Sequence, residues 1–158
     1  MLTAYFLQDS KLCDKYQMDL DKGIMLTGPI GCGKTTLMHL MKYIPNEHKI
    51  FRFKSCREIT FEFIKDGYDV LHKYSRGDLY KTNAYAYCFD DLGSENNVMA
   101  EILLSRYDLY IANKLCTHIT TNLSATELET AYDNRLRSRL RQMVNLISFK
   151  KEAEDKRK

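Results

Sequence analysis

The chain has no apolar run approaching the ~20 residues a bilayer span needs, so no membrane-crossing segment is expected. Its first residues, Met1-Leu2-Thr3-Ala4-Tyr5-Phe6, lack a basic cluster and a small-residue cleavage site, which argues against a secretory signal. The cysteines (Cys13, Cys32, Cys56, Cys88 and Cys116) are odd in number, scattered, and never spaced C-x-x-C. That disfavours a disulfide frame or a zinc knuckle and points to reduced thiols in a cytoplasm. Charge of either sign is in small excess only: 24 Lys and Arg against 21 Asp and Glu leave +3, too little to argue by itself for nucleic-acid binding. With no internal repeat and no linker, residues 1–158 are expected to form one domain, with 1–22 as a lead-in and 150–158 as a charged tail.

What the chain does have is the stretch Gly28-Pro29-Ile30-Gly31-Cys32-Gly33-Lys34-Thr35, followed by Thr36. It satisfies G-x-x-x-x-G-K-[ST], the phosphate-binding loop of nucleoside-triphosphate enzymes. Glycines let the backbone curl so that its N–H groups converge on phosphate oxygens. Thr35 and Thr36 open a helix whose unpaired N–H groups favour an anion. Lys34 is expected to reach the β- and γ-phosphates of ATP, and the Thr35 hydroxyl to ligate Mg²⁺. The flanks agree: Gly23 to Thr27 reads as a short buried strand, and Leu37, Leu40, Met41 and Ile44 follow at helical spacing, with an expected stop before Pro45. Cys32 serves as a small residue within the loop.

Further along, residues 50–54 alternate as a strand, and Ser55-Cys56-Arg57-Glu58 is a capping-box pattern opening a helix to Asp66-Gly67. Residues 68–74 continue it by a turn or two, and 75–83 read as a loop. The aromatic-rich strand 85–89 ends in Asp90-Asp91. A helix over 98–112, a strand over 115–121 ending at Asn122, and a second capping box at Ser124–Glu127 come next. The helix after that box runs to Arg141 with a break at Asp133-Asn134, and 143–149 is a last strand. In the lead-in, only a short helix near Leu2, Phe6 and Leu7 is legible. Strands alternating with helices predict an α/β fold: a mainly parallel five-stranded sheet covered on both faces, with the site at its carboxyl edge.

The polar residues at the strand ends supply the remaining chemistry. Asp90 is expected to hold Mg²⁺ opposite Thr35, and Asp91 to polarise the attacking water. Asp91 stands where many hydrolysing proteins have Glu. Asn122 is placed to hydrogen-bond both that water and the γ-phosphate. Arg135, Arg137, Arg139 and Arg141 interleave with Leu136 and Leu140; they form either a solvated basic helix or a source of one arginine for a neighbouring subunit's site.

Together these residues resemble the DnaC/IstB group of AAA+ ATPases. The strings that carry the resemblance are Gly28–Thr36, Phe89-Asp90-Asp91-Leu92-Gly93-Ser94-Glu95, Ser105-Arg106-Tyr107, Ile119-Thr120-Thr121-Asn122-Leu123 and Asn134 to Leu140. The resemblance implies an AAA+ core that binds and hydrolyses ATP with Mg²⁺. It also implies assembly as a homo-oligomer on nucleotide or DNA, single-stranded or duplex, and a helicase or transposase as partner. Arg139 falls at the group's arginine-finger position, and Arg157, in Asp155-Lys156-Arg157, at a second nucleotide-sensing position. Helicase loading leads among the readings and transposition help follows. A small-molecule phosphate-loop kinase and a nucleotide switch that scarcely hydrolyses are readings of other classes. With 22 residues ahead of the match, partner contacts are expected on the core itself.

Overall fold

The computed structural model describes residues 1–44, 49–76, 85–93 and 98–150. The strands are β1 (Gly23–Thr27), β2 (Arg52–Ser55), β3 (Tyr87–Leu92), β4 (Thr117–Thr121) and β5 (Val144–Ser148). The helices are α1 (Leu2–Phe6), α2 (Ser10–Lys15), α3 (Lys34–Met41), α4 (Cys56–Asp66), α5 (Tyr68–Ser75), α6 (Val98–Asn113) and α7 (Ala125–Met143). The sheet order is β2-β3-β4-β1-β5, and every pairing is parallel. Right-handed crossovers then put α3 on one face and α4 to α7 on the other.

The two hydrophobic cores follow that division. Ile24, Leu26, Met38, Cys88 and Phe51 pack with Tyr5, Phe6 and Cys13 of α1 and α2 on the α3 face. Met25, Phe89 and Ile119 join Ile59, Val70, Ile102, Leu103, Leu136 and Leu140 on the other. β1 and β4 lie between neighbours and are buried almost throughout. That burial is why they read as continuous runs rather than alternating ones. The result is a three-layer α/β/α sandwich.

Several boundaries differ from expectation, each for a visible reason. The lead-in holds two helices, because Asp9 accepts from the Leu12 N–H and caps a second one. Ser55 forms no capping box; Glu58 pairs instead with Lys54 at 2.8 Å. The chain turns at Gly67, so α5 is a separate helix and not a continuation of α4, and it extends through Ser75. Leu40 is exposed, while Met38 takes the fully buried position on α3. The capping box at Ser124 and Glu127 forms with both of its hydrogen bonds. The break near Asp133 is present too: Asp133 has φ 73°, and its carboxylate accepts from the Leu136 N–H, starting the second half of α7. The expected stop at Pro45, most of the 75–83 loop, Ser94-Glu95 and Arg157 lie outside the described residues.

Two buried polar side chains lock the sheet to its layers. Arg106 is fully buried on α6 and donates to Thr117 Oγ1 (2.7 Å) and to the carbonyls of Tyr74, Tyr85 and Cys116. Its guanidinium also lies over the rings of Tyr87 and Phe89, whose planes are only 8° apart. Burial lowers the Arg106 pKa to about 10, which leaves it charged at neutral pH. On the opposite face His118 sits among Tyr5, Phe6 and Phe51, and its Nδ1 accepts from the Ile24 N–H at 3.1 Å. Burial, with the charges of Lys49 and Arg106, brings the His118 pKa down to about 3 and keeps the ring neutral.

Candidate nucleotide site

The site begins where β1 stops. Gly28 leaves the strand at φ 149°, and a Cβ there would lie 2.6 Å from Phe149 Cβ, so only glycine lets the loop turn away beside β5. Gly33 is the N-cap of α3 in a left-handed conformation, φ 93°, which a residue with a Cβ would adopt under strain. The first N–H groups of α3 therefore face the loop's concavity without intrahelical partners. No acidic residue stands in that first turn.

Lys34 is buried, and its ammonium donates to the Gly28 carbonyl at 2.7 Å, the Pro29 carbonyl at 2.8 Å and Cys32 Sγ at 3.7 Å. A lysine has three protons to donate, and here three loop atoms lie within their reach. Cys32 is buried at 2% exposure, whereas Ile30 is exposed at 61%.

Across the loop, the Thr35 hydroxyl donates to Asp90 Oδ1 at 2.8 Å. Asp90 is half-buried and Asp91 exposed. Both belong to β3 itself rather than following its end, because the strand carries a bulge: three steps from Phe89 to Leu92 match two from Ile119 to Thr121 on β4. Asp91 occupies the bulge at φ 60°. Beneath it, burial and then the Asp90 charge push the Cys88 thiol well up, so that sulfur is an inert core group.

Loop, β3 and β4 enclose a cleft of about 350 Å³ lined by Ile30, Gly31, Gly33, Lys34, Thr35, Thr36, Asp90, Asp91, Thr120 and Asn122. The volume lies within the range of small-ligand sites. One wall is a buried cation and a helix N-terminus. The facing wall holds two carboxylates, one of which accepts from the Thr35 and Thr120 hydroxyls. That donor set fits a polyphosphate on the first wall and a hard divalent cation between Thr35 and Asp90. Among the described residues no cluster of three His, Cys, Asp or Glu offers another metal site.

Arg139 lies elsewhere. It is half-buried on α7, its guanidinium 4.9 Å from the Tyr107 ring of α6, whose hydroxyl donates to Gln142 Oε1 at 2.7 Å. Arg137 pairs with Glu129 across the Asp133 kink, and Arg135 and Arg141 are exposed. The residue that sequence reasoning left without a role is Thr120. Its signal was a central strand with hydroxyls at 117, 120 and 121, all buried and so obliged to find partners.

No protein-family profile and no curated protein matches the chain. Solved structures do. The DnaC helicase loader superposes with a TM-score of 0.62 over 82% of this chain and 79% of the other, at 24% identity. A candidate primosome component from Streptococcus pyogenes serotype M3 gives 0.66 over 96% of this chain and 79% of the other, at 18% identity. The chain shares the fold of these proteins. AMPPCP-bound DnaA from Aquifex aeolicus shares it as well, with a TM-score of 0.60 over 89% of this chain and 45% of the other, at 17% identity. In this sheet the phosphate loop follows β1, the two acids lie in the bulged part of β3, and Asn122 follows the intervening β4. Among the described residues no helix is long and apolar enough to cross a membrane.

Proposed function

We propose that this protein binds ATP with Mg²⁺ and hydrolyses it, and that it assists DNA replication in the manner of a helicase loader of the DnaC/IstB type. The observation that carries the reading is the convergence of the phosphate loop, Asp90, Asp91 and Asn122 on one cleft, with the loop and β3 joined through Thr35 and Asp90. Lys34 and the α3 N-terminus would hold the triphosphate. Thr35 and Asp90 would hold Mg²⁺, which when bound withdraws charge from the phosphates. Asp91 would orient the attacking water, and Asn122 would hydrogen-bond that water and the terminal phosphate. Hydrolysis then drives a cycle of association with DNA and a helicase.

Arg139 supports an assembled form of this reading. It does not line its own protomer's cleft, so its route to a phosphate is the cleft of an adjacent copy. Homo-oligomerisation on nucleotide or DNA is therefore part of the proposal. Asp91 in place of Glu favours a second reading, a nucleotide switch with slow turnover.

The test measures ATP turnover and DNA association of the protein with and without a replicative helicase. The loader reading expects Mg²⁺-dependent turnover and helicase deposition on single-stranded DNA with ATP and not ADP. Binding of ATP without turnover selects the switch. Turnover indifferent to both DNA and helicase contradicts the loader role.

A further inference from the structure

The Thr120 hydroxyl stands between the two acids of β3. Thr120 is 1% exposed, yet its side chain reaches the cleft. Its oxygen accepts the Asp91 N–H at 3.0 Å, and its proton goes to Asp90 Oδ1 at 2.5 Å. An N–H can only donate and a carboxylate only accept, so chemistry fixes both directions. Asp90 Oδ1 also takes the Thr35 proton, which makes an unbroken chain from α3 through β3 to β4 and back to the β3 backbone.

The backbone end of that chain is where β3 is irregular. Asp91 has φ 60°, a conformation that L-residues seldom adopt and that Asp tolerates better than most. The β3–β4 register shifts here, and the Asp91 N–H donates to the Thr120 hydroxyl. Bulges re-aim side chains next to active sites. Here the residue at the bulge, Asp91, itself lines the cleft, and its side chain is one methylene shorter than Glu.

We infer that Thr120 is a positioning residue for Asp91: its hydroxyl holds the bulge that brings this short carboxylate to the water-orienting position, and ties it to the metal-holding Asp90. The inference rests on the ATPase reading above. It makes the Asp at position 91 a matched part of a bulged strand rather than a weakened Glu. Valine at 120 keeps the shape and removes both hydrogen bonds; serine keeps both.

The experiment compares wild type, Thr120→Val, Thr120→Ser and Asp91→Glu as full chains. It measures steady-state ATP turnover with Mg²⁺, and affinity for a non-hydrolysable ATP analogue by calorimetry. Thr120→Val is expected to lose roughly 10–100-fold in kcat with nucleotide affinity changed less than about threefold, since misplacement of a catalytic group acts on the chemical step. Thr120→Ser is expected to retain kcat within about threefold, and Asp91→Glu to lower it because the longer side chain overshoots. A Thr120→Val protein with wild-type kcat, or a Thr120→Ser protein as slow as Thr120→Val, overturns the inference. If the valine variant does not fold, Asp91→Glu decides: a higher kcat overturns the inference and a lower one supports it. Wild-type protein that turns over no ATP contradicts the ATPase reading and the inference with it, whereas an active wild type beside an equally active Thr120→Val contradicts the inference alone.

Discussion

Thr35 and Asp90 meet at a single oxygen, the Thr35 hydroxyl donating to Asp90 Oδ1 at 2.8 Å. The contact ties the first turn of α3 to β3 at the lining of the cleft, and a hydroxyl that donates its proton keeps lone pairs that a cation can use. Asp91, one residue on, has its backbone fixed to β4 and is exposed toward the same space. Neighbours in sequence are thereby given different tasks.

The division predicts different kinetics for two isosteric changes. Asp90→Asn is expected to raise the Mg²⁺ concentration needed for half-maximal nucleotide binding. Asp91→Asn is expected to leave binding within about threefold while lowering kcat on the order of 10²-fold or more. Calorimetry across a Mg²⁺ series, with turnover on the same samples, checks both. Equal losses of affinity would show the roles to be wrongly assigned.

His118 predicts acid sensitivity. It is neutral and buried, with its pKa brought down to about 3 from an ordinary value of 6.5. Between those values the unfolded chain binds a proton that the folded chain refuses, so stability falls as pH drops below about 6.5. At pH 5.5 the loss from this group alone is about 1.4 kcal/mol relative to pH 7.5 and above, growing by a similar amount per further unit. Urea unfolding at pH 7.5 and 5.5 measures it. His118→Gln should flatten the slope across that window, whatever it costs at neutral pH.

Arg139 predicts action between copies. Turnover per protein should rise with concentration, and Arg139→Ala should abolish the rise, with a loss of about 10³-fold or more in kcat and little change in ATP affinity. Mixing Arg139→Ala with Lys34→Ala should restore part of the activity, because one mutant keeps a competent cleft and the other a competent arginine. Arg135→Ala is the control, its side chain being exposed and set apart from the Tyr107 stack. Co-assembled mutants that stay inactive would rule out the trans role.

The layered fold was legible in the chain because its signals are local: a glycine loop after an apolar strand, caps at Ser124, and an Asp-Asn break that forms at Asp133. α2 was missed because one capping Asp and a single buried Cys13 make too short a pattern for periodicity. Ser55 and Glu58 satisfied the capping pattern, but Lys54 offered Glu58 a charged partner and tertiary geometry won. The residues of the cleft could be named from strand ends, yet their relation could not. A bulge at Asp91 and the reach of Thr120 depend on register between β3 and β4, which no single strand encodes. Likewise Arg106 stands out in the sequence only as part of the Ser105-Arg106-Tyr107 string, without a role; the packed structure assembles Thr117, Tyr74, Tyr85 and Cys116 around it.

The central claim is that this cleft takes a magnesium-bound nucleoside triphosphate, and Lys34 is its most exposed point of failure. Its ammonium already has loop carbonyls for partners at 2.7 and 2.8 Å, so Lys34→Ala removes both the phosphate's cation and a staple of the loop. The deciding measurement is calorimetric titration of wild type and Lys34→Ala with a non-hydrolysable ATP analogue and Mg²⁺, on protein shown by circular dichroism to be folded. The account predicts one site per chain in the wild type and an affinity lower by on the order of 100-fold in the mutant, about 2.7 kcal/mol. Equal affinity in the two proteins, or no binding to either, would contradict it.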